Sequence, residues 1–250
     1  MADFTVEDLG LVIEPPALAA ARRSLDESGL LLLGEMHGVR ENPLIIRALL
    51  QAFGLTSLGL EWDEDLSPVI RVFLGGARLA DHLTLWSGDG RITAGHLAVL
   101  AERAAAGPLD LILFDGTIWA NWSWSQRDEA MARRILATAP AGTRTLVVAG
   151  NAHTATGPTS LGIPMGAYLA QQRPGVREVS IDYGGGHYYN ARPASFHRTG
   201  PQGSQVRLHD QQGGQVRLHD RQGALVLYLP EAREAVVPQR PWPGIVRGGP

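Results

Sequence analysis

Apolar residues in this chain gather into short unbroken runs, separated by stretches with helical spacing. Residues 30–34, 58–60, 109–114 and 146–150 are runs of this kind; they predict strands over 30–34, 57–61, 109–114 and 144–149, and residues 176–182 predict a fifth. Aliphatic runs of this length without polar alternation are what strands buried on both faces look like. Asn42 and Pro43 open a helix that extends to about Phe53. Proline suits its first turn, Leu44, Ile45, Ala48 and Leu49 share one face, and Gly54 stops it. Residues 17–28 predict an earlier helix. A helical stretch around Arg71–Leu74 follows the second strand, and residues 81–93 are looser, with Gly88-Asp89-Gly90 as a turn. Residues 93–106, 125–139 and 165–172 predict three more helices. Ser125 is the expected N-cap of the middle one, with Asp128 three residues on in a near capping box.

These elements predict an α/β fold: a duplicated strand–helix–strand core with a mainly parallel sheet flanked by helices, plus a small C-terminal β-meander. Residues 30–61 form one strand–helix–strand unit, and residues 109–149 repeat its plan. The core is expected over residues 1–190 and a β extension over 191–237. Within the extension SQVRLHDQQG (204–213) recurs as GQVRLHDRQG (214–223). Its alternation of Val and Leu with Arg and His has the period of a strand, and its glycines suit hairpin turns. Residues 224–229 would supply a third strand. His209 and His219 are expected to be ordinary strand residues, and the Pro- and Gly-rich stretch 238–250 a poorly ordered tail.

Four of the predicted strands end in residues able to do acid–base or metal chemistry. The first runs into Glu35 and His37, the second into Glu61, the third into Asp115, and the fourth into Asn151 and His153. In open parallel sheets ligands bind outside the carboxyl ends of the strands, so these residues are expected on one rim. Residues 35 and 37 point the same way if the chain stays extended. A carboxylate beside an imidazole fixes the tautomer and raises ring basicity, as a general base requires. Arg127, in the first turn of its helix, could clamp a carboxylate or stabilise an oxyanion. Asp115, Trp119 and Trp122 (with Trp124 close by) and His187, in a glycine-rich stretch expected as a loop, are candidates for lining a substrate. His82 and His96 read as ordinary.

Composition narrows the chemistry further. Cysteine is absent, and all 22 basic side chains are arginine. Thiolate metal sites, cysteine nucleophiles, Schiff-base lysines and the P-loop lysine are therefore excluded. A net charge of −3 gives no reason to expect nucleic acid or an anionic membrane as partner. No apolar run is long enough to span a bilayer. Without the marks of a signal peptide at its start, the expected location is the cytoplasm. A Gly-x-Ser-x-Gly elbow, a dinucleotide fingerprint and a His-Glu-x-x-His helix are all missing.

Leu33-Gly34-Glu35-Met36-His37-Gly38, Gly59-Leu60-Glu61, Arg127-Asp128-Glu129-Ala130-Met131-Ala132 and Gly150-Asn151-Ala152-His153 follow one another in an order that resembles the erythromycin-esterase/ChaN-like superfamily, which includes TIKI- and TraB-type proteins. The resemblance covers about residues 28–190. It implies a duplicated strand–helix core with its site at one rim. From the macrolide esterases it implies a metal-independent hydrolase with His37 as general base and Glu35 as its orienter. TIKI-type members imply a metal-dependent protease, with Glu35, His37 and His153 near Zn or Mn. ChaN-type members imply haem binding.

The expected function is hydrolysis of an ester, lactone or amide bond in a small molecule or peptide, without a cofactor. His37 would act as base, Glu35 would orient it, His153 and Arg127 would polarise the carbonyl, and Glu61 would position the water or His153. A metal-dependent hydrolase, a haem-binding protein and a tailoring enzyme of a biosynthetic pathway are the alternatives.

Overall fold

The computed structural model describes residues 8–77, 79, 89–116, 121–139, 142–190, 192–197 and 215–235. In chain order its elements are β1 (Val12–Ile13), α1 (Pro15–Glu27), β2 (Leu30–Glu35), α2 (Asn42–Phe53), β3 (Ser57–Leu60), a 3-10 turn (Glu64–Leu66), α3 (Ser67–Leu74), α4 (Ala94–Ala106) and β4 (Asp110–Leu113). Then come α5 (Trp124–Thr138), β5 (Thr145–Gly150), the single turn α6 (Asn151–Thr154), α7 (Met165–Gln172), β6 (Arg177–Tyr183), β7 (Gly185–Asn190), β8 (Arg192–His197), β9 (Arg217–Arg221) and β10 (Ala224–Leu229).

Eight strands form one sheet in the order β1-β9-β10-β6-β2-β5-β3-β4. Every neighbouring pair is parallel except β9 with β10. The two predicted strand–helix–strand units interleave: β2 and β3 flank β5, while β4 and β5 flank β3. Up to β4 the chain travels toward that edge of the sheet. From β4 it returns, through β5, to β6. Crossovers between parallel strands keep one hand, so a change of direction moves the helices to the other face. The packing divides in that way. Leu31, Leu33, Leu58, Leu60, Leu146 and Val148 meet α1, α2 and α4 on one face. Leu30, Leu32, Ile112, Phe114, Val147 and Ala149 meet α5 and α7 on the other. Each strand of the centre is thus apolar on both faces, the cause of the unbroken runs. The reversal opens the crevice at the carboxyl ends of β2, β5, β3 and β4.

Two local expectations are corrected. The N-cap of α5 is Ser123, and Gln126 completes the capping box; Ser125 is already inside the helix. Gln126 can close the box because its Oε1 accepts from Ser123 N at 2.9 Å, whereas Asp128 is buried and faces the core. The glycine-rich stretch after β6, expected as a loop, is the first strand of the β7–β8 hairpin. Gly186, at φ +116°, lets that backbone press against Ala232, which exchanges hydrogen bonds with His187 N and Gly185 O. The C-terminal antiparallel pair β9–β10 joins the main sheet, because β10 pairs with β6 along Leu225–Leu229. The first copy of the ten-residue repeat lies outside the described residues. Among the described residues no helix is long and apolar enough to cross a membrane.

Gly38 ties several of these segments to the rim. Its N–H donates to Gly90 O, and its carbonyl accepts from Tyr189 N and Ala235 N. The residue sits at φ +79° with the Tyr189 backbone packed where a Cβ would be. Only glycine meets both conditions.

Candidate functional site

Glu35 is the last residue of β2, and His37 lies two residues further on. Their side chains meet, His37 Nδ1 to Glu35 Oε1 at 3.2 Å. The peptide between them is held on both sides. Met36 N donates to Tyr183 Oη at 2.9 Å, and Met36 O accepts from Asn42 Nδ2 at 2.7 Å. Tyr183 Oη in turn donates to Asn42 Oδ1 at 3.1 Å. The first residue of α2 and the last of β6 therefore set the angle at which the Glu35–His37 pair leaves the sheet. Burial opposes charge on His37, but the Glu35 hydrogen bond and the charges of Glu61 and Glu35 outweigh it and Arg91, so its pKa is raised above 6.5.

Glu61 follows β3 and is the central anion. Its Oε2 accepts from Gly150 N at 2.7 Å, and its Oε1 accepts from Arg127 Nη2 at 2.8 Å. Arg91 Nη1 lies at 3.4 Å, His153 Nε2 at 3.6 Å and His37 Nε2 at 3.7 Å. Burial would push this carboxyl up, but Arg91, His37, His153 and Arg127 together hold it far below the usual range. Asp115, after β4, receives Arg91 Nη1 at 2.8 Å and Arg127 Nη2 at 2.7 Å on Oδ2, and Arg127 Nε at 3.2 Å on Oδ1. Both guanidinium groups keep their charge more firmly than usual: burial works against it, and the surrounding carboxylates outweigh burial.

His153 stands on α6, just past β5. Its Nδ1 lies 2.8 Å and 3.0 Å from the two oxygens of Asp128. Arg127 Nη1 lies 3.2 Å from its Nε2. Arginine has no acceptor, so Nε2 must accept, and the ring proton of the neutral form sits on Nδ1 and donates to Asp128. Asp128 also takes Met165 N at 2.7 Å, which anchors the start of α7. The indole of Trp124 stacks on the imidazole at 4.3 Å between centroids, with 9° between the planes.

Glu35, His37, Glu61, Asp115, Arg127 and His153, predicted from strand ends and one helix turn, thus meet in one network at the carboxyl edge. Trp122 is 50% exposed, and His187 is exposed on β7; neither is drawn into it. Trp119 and His82 lie outside the described residues, as does His209. His219 pairs with Glu14 at 2.8 Å at the far edge of the sheet.

Sequence reasoning missed Arg91, Asp128, Asn42 and Tyr183 as parts of this assembly, placed Trp124 only beside the candidate lining, and took His96 as ordinary. Arg91 sits in what reads as a surface turn, and Asp128 as a cap. The one available signal was Asp128 directly beside Arg127 in a first helical turn, since adjacent residues there reach two different groups. Among the described residues no three His, Asp or Glu side chains form a group able to hold a metal ion. The cations among these carboxylates are Arg91 and Arg127.

No family model and no curated protein matches the chain. Solved structures do. A succinoglycan biosynthesis protein superimposes with a TM-score of 0.62 at 11% identity, over 94% of this chain and 93% of its own. The erythromycin esterase EreC, as a histidine-to-asparagine variant in its open conformation, gives 0.61 at 13% identity, over 88% and 93%. A protein from Bacillus cereus gives 0.54 at 10% identity, over 95% and 94%. The likeness is one of fold: mixed α/β, mostly parallel, as in erythromycin esterase.

Proposed function

We propose that this protein is a hydrolase of ester, lactone or amide bonds in a small molecule or peptide, working by a general base and without a metal. The observation that carries the reading is the Glu35–His37 pair at the sheet's carboxyl edge, with its Nδ1 side held by Glu35 at 3.2 Å. His37 Nε2 is then the nitrogen left to act on water. Water attacks the carbonyl carbon as its proton passes to Nε2. The carbonyl π electrons become an oxyanion beside the Arg127 guanidinium. When the tetrahedral intermediate collapses, the C–O or C–N bond breaks and the imidazolium returns its proton to the leaving oxygen or nitrogen.

Glu61 contributes a fixed negative charge that favours the imidazolium. His153, whose Nε2 faces the Arg127 guanidinium, completes the polar wall. The fold shared with an erythromycin esterase agrees with the reading.

The test is a panel of p-nitrophenyl esters, lactones and peptide p-nitroanilides offered to the wild type, Glu35→Gln and His37→Ala. Turnover that falls about 10²–10⁴-fold in His37→Ala supports the base. A His37→Ala variant with full turnover removes it. Activity is expected to survive exhaustive chelation; loss on chelation, restored by Zn or Mn, would put the metal-dependent reading in its place.

A further inference from the structure

His96 is the buried histidine that the proposed reaction does not use. It lies on the first turn of α4 and is 3% exposed. It lines the same narrow hollow as Glu35, His37, Glu61 and Arg91, with Val148 and Ala149 also in its wall. Glu35 is also 3% exposed, and its Oε2 is buried without a hydrogen-bond partner in the protein. A buried carboxylate oxygen left without a donor costs several times what one hydrogen bond is worth. The hollow beside it must therefore hold a donor.

His37 gives its Nδ1 to the other oxygen, Oε1. Arg91 directs its Nε hydrogen to Asp89 and its Nη1 hydrogens to Asp115 and the Glu61 carbonyl, and it forms no ion pair with Glu35 among the described residues. Trp62 donates its indole N–H to Arg91 O. His96 remains. Its Nδ1 lies 2.9 Å from Thr93 Oγ1. That oxygen already accepts from His96 N as the N-cap of α4, so its own hydrogen can go to Nδ1. The ring proton then sits on Nε2. The ring packs edge-on to Trp62 at 5.9 Å, which fixes its plane. Burial, with the charge on His37 adding to it, outweighs Glu35 and lowers the pKa of His96, so the ring is a neutral donor. A water needs two to four polar partners in such a site.

We propose that His96 is a positioning residue for the Glu35–His37 pair: it donates from Nε2, through one bound water in the hollow, to Glu35 Oε2. The inference rests on the reading of Glu35 and His37 as the working pair. With its second oxygen satisfied, Glu35 shares its negative charge between two donors and holds His37 less tightly than it otherwise would. The other charged groups facing the hollow, Glu61 from β3 and Arg91 from the loop before α4, are unchanged by this bridge.

The experiment uses the full chain with ¹⁵N-labelled histidine and reads ring nitrogens across pH 5–9. In the wild type His96 is expected neutral with its proton on Nε2; a ring protonated on Nδ1 overturns the proposal without any variant. In His96→Phe the His37 midpoint is expected to rise by about half a pH unit or more. In His96→Gln, whose amide can donate from a similar place, it is expected to return toward the wild-type value. A His37 midpoint that is unchanged or lower in folded His96→Phe overturns the proposal. None of these readings needs turnover, so absence of hydrolysis across the ester, lactone and amide panel would count against the hydrolase reading and leave this one standing.

Discussion

Asp128 grips His153 through both oxygens, at 2.8 Å and 3.0 Å from Nδ1, while Oδ2 also receives the first backbone N–H of α7. One buried carboxylate therefore fixes an imidazole tautomer and a helix start together. Asp128→Asn keeps the shape but turns a hydrogen-bond acceptor into a donor. Turnover is expected to fall by about 10²–10⁴, and stability by about 1–3 kcal/mol. Urea titration beside the ester assay checks both; wild-type values in both would show that the contact does nothing.

Arg127 bridges Glu61, Asp115 and His153. Its removal leaves two buried carboxylates short of a cation. Arg127→Met is expected to lose about 3–5 kcal/mol. Arg127→Lys should recover little of it, since one ammonium cannot reproduce the planar fork that meets both Asp115 oxygens. Thermal unfolding of the two variants side by side decides this, and a lysine variant as stable as the wild type would contradict it.

The pH dependence has a definite sign. His37 has a raised pKa in the folded state, so its contribution to stability is present in full below its unfolded value of 6.5 and is lost as pH rises through the folded value. Glu61 is the opposite case. Its folded pKa is depressed, so its contribution is present above 4.5 and is lost only as pH falls through its much lower folded value. Activity needs His37 unprotonated and should rise with pH through a midpoint above 6.5, while His37's share of stability declines over the same interval. Initial rates and urea midpoints measured across pH 5–9 test the pairing. A rate that falls across that range would sink the general-base role.

Gly150 sits where a Cβ would come within 3.1 Å of His37 Nε2 and 3.4 Å of Glu61 Oε2. Its own backbone, at φ −53° and ψ 138°, suits any residue. Gly150→Ala should therefore fold with little loss of stability, within about 1 kcal/mol, yet lower kcat by about tenfold or more through displacement of His37. Kinetics and calorimetry on the purified variant separate the two effects, and unchanged kcat would refute the crowding argument.

Much of this site was legible in the chain because of where strands end. Glu35, Glu61, Asp115 and His153 each close an aliphatic run, and a run buried on both faces is readable without knowing its neighbours. Asn42 and Tyr183 were not legible. One resembles a helix-opening residue and the other the last residue of a strand, and their meeting around Met36 depends on β6 lying beside β2. Asp128 was misread for a related reason. A polar residue in a first helical turn has a local use as a cap, and only the docking of α5 onto α7 and β5 turns it inward. The glycines at 184–186 suggested a loop, since freedom of φ is visible in sequence while the Ala232 backbone that exploits it is not.

The sequence by itself determined the periodicities, and with them the buried parallel strands, the helices between them and the ionisable residues at their carboxyl ends. Those are consequences of local spacing and of the cost of exposing aliphatic surface. Only the tertiary structure decided the strand order, with β5 between β2 and β3, and hence that Glu61 is reached by Gly150, Arg127 and His153 together. It alone brought Arg91, from a turn, onto Asp115. The reason is physical: a buried charge accepts whichever opposite charge or donor the packing delivers, and sequence distance sets no limit on that choice.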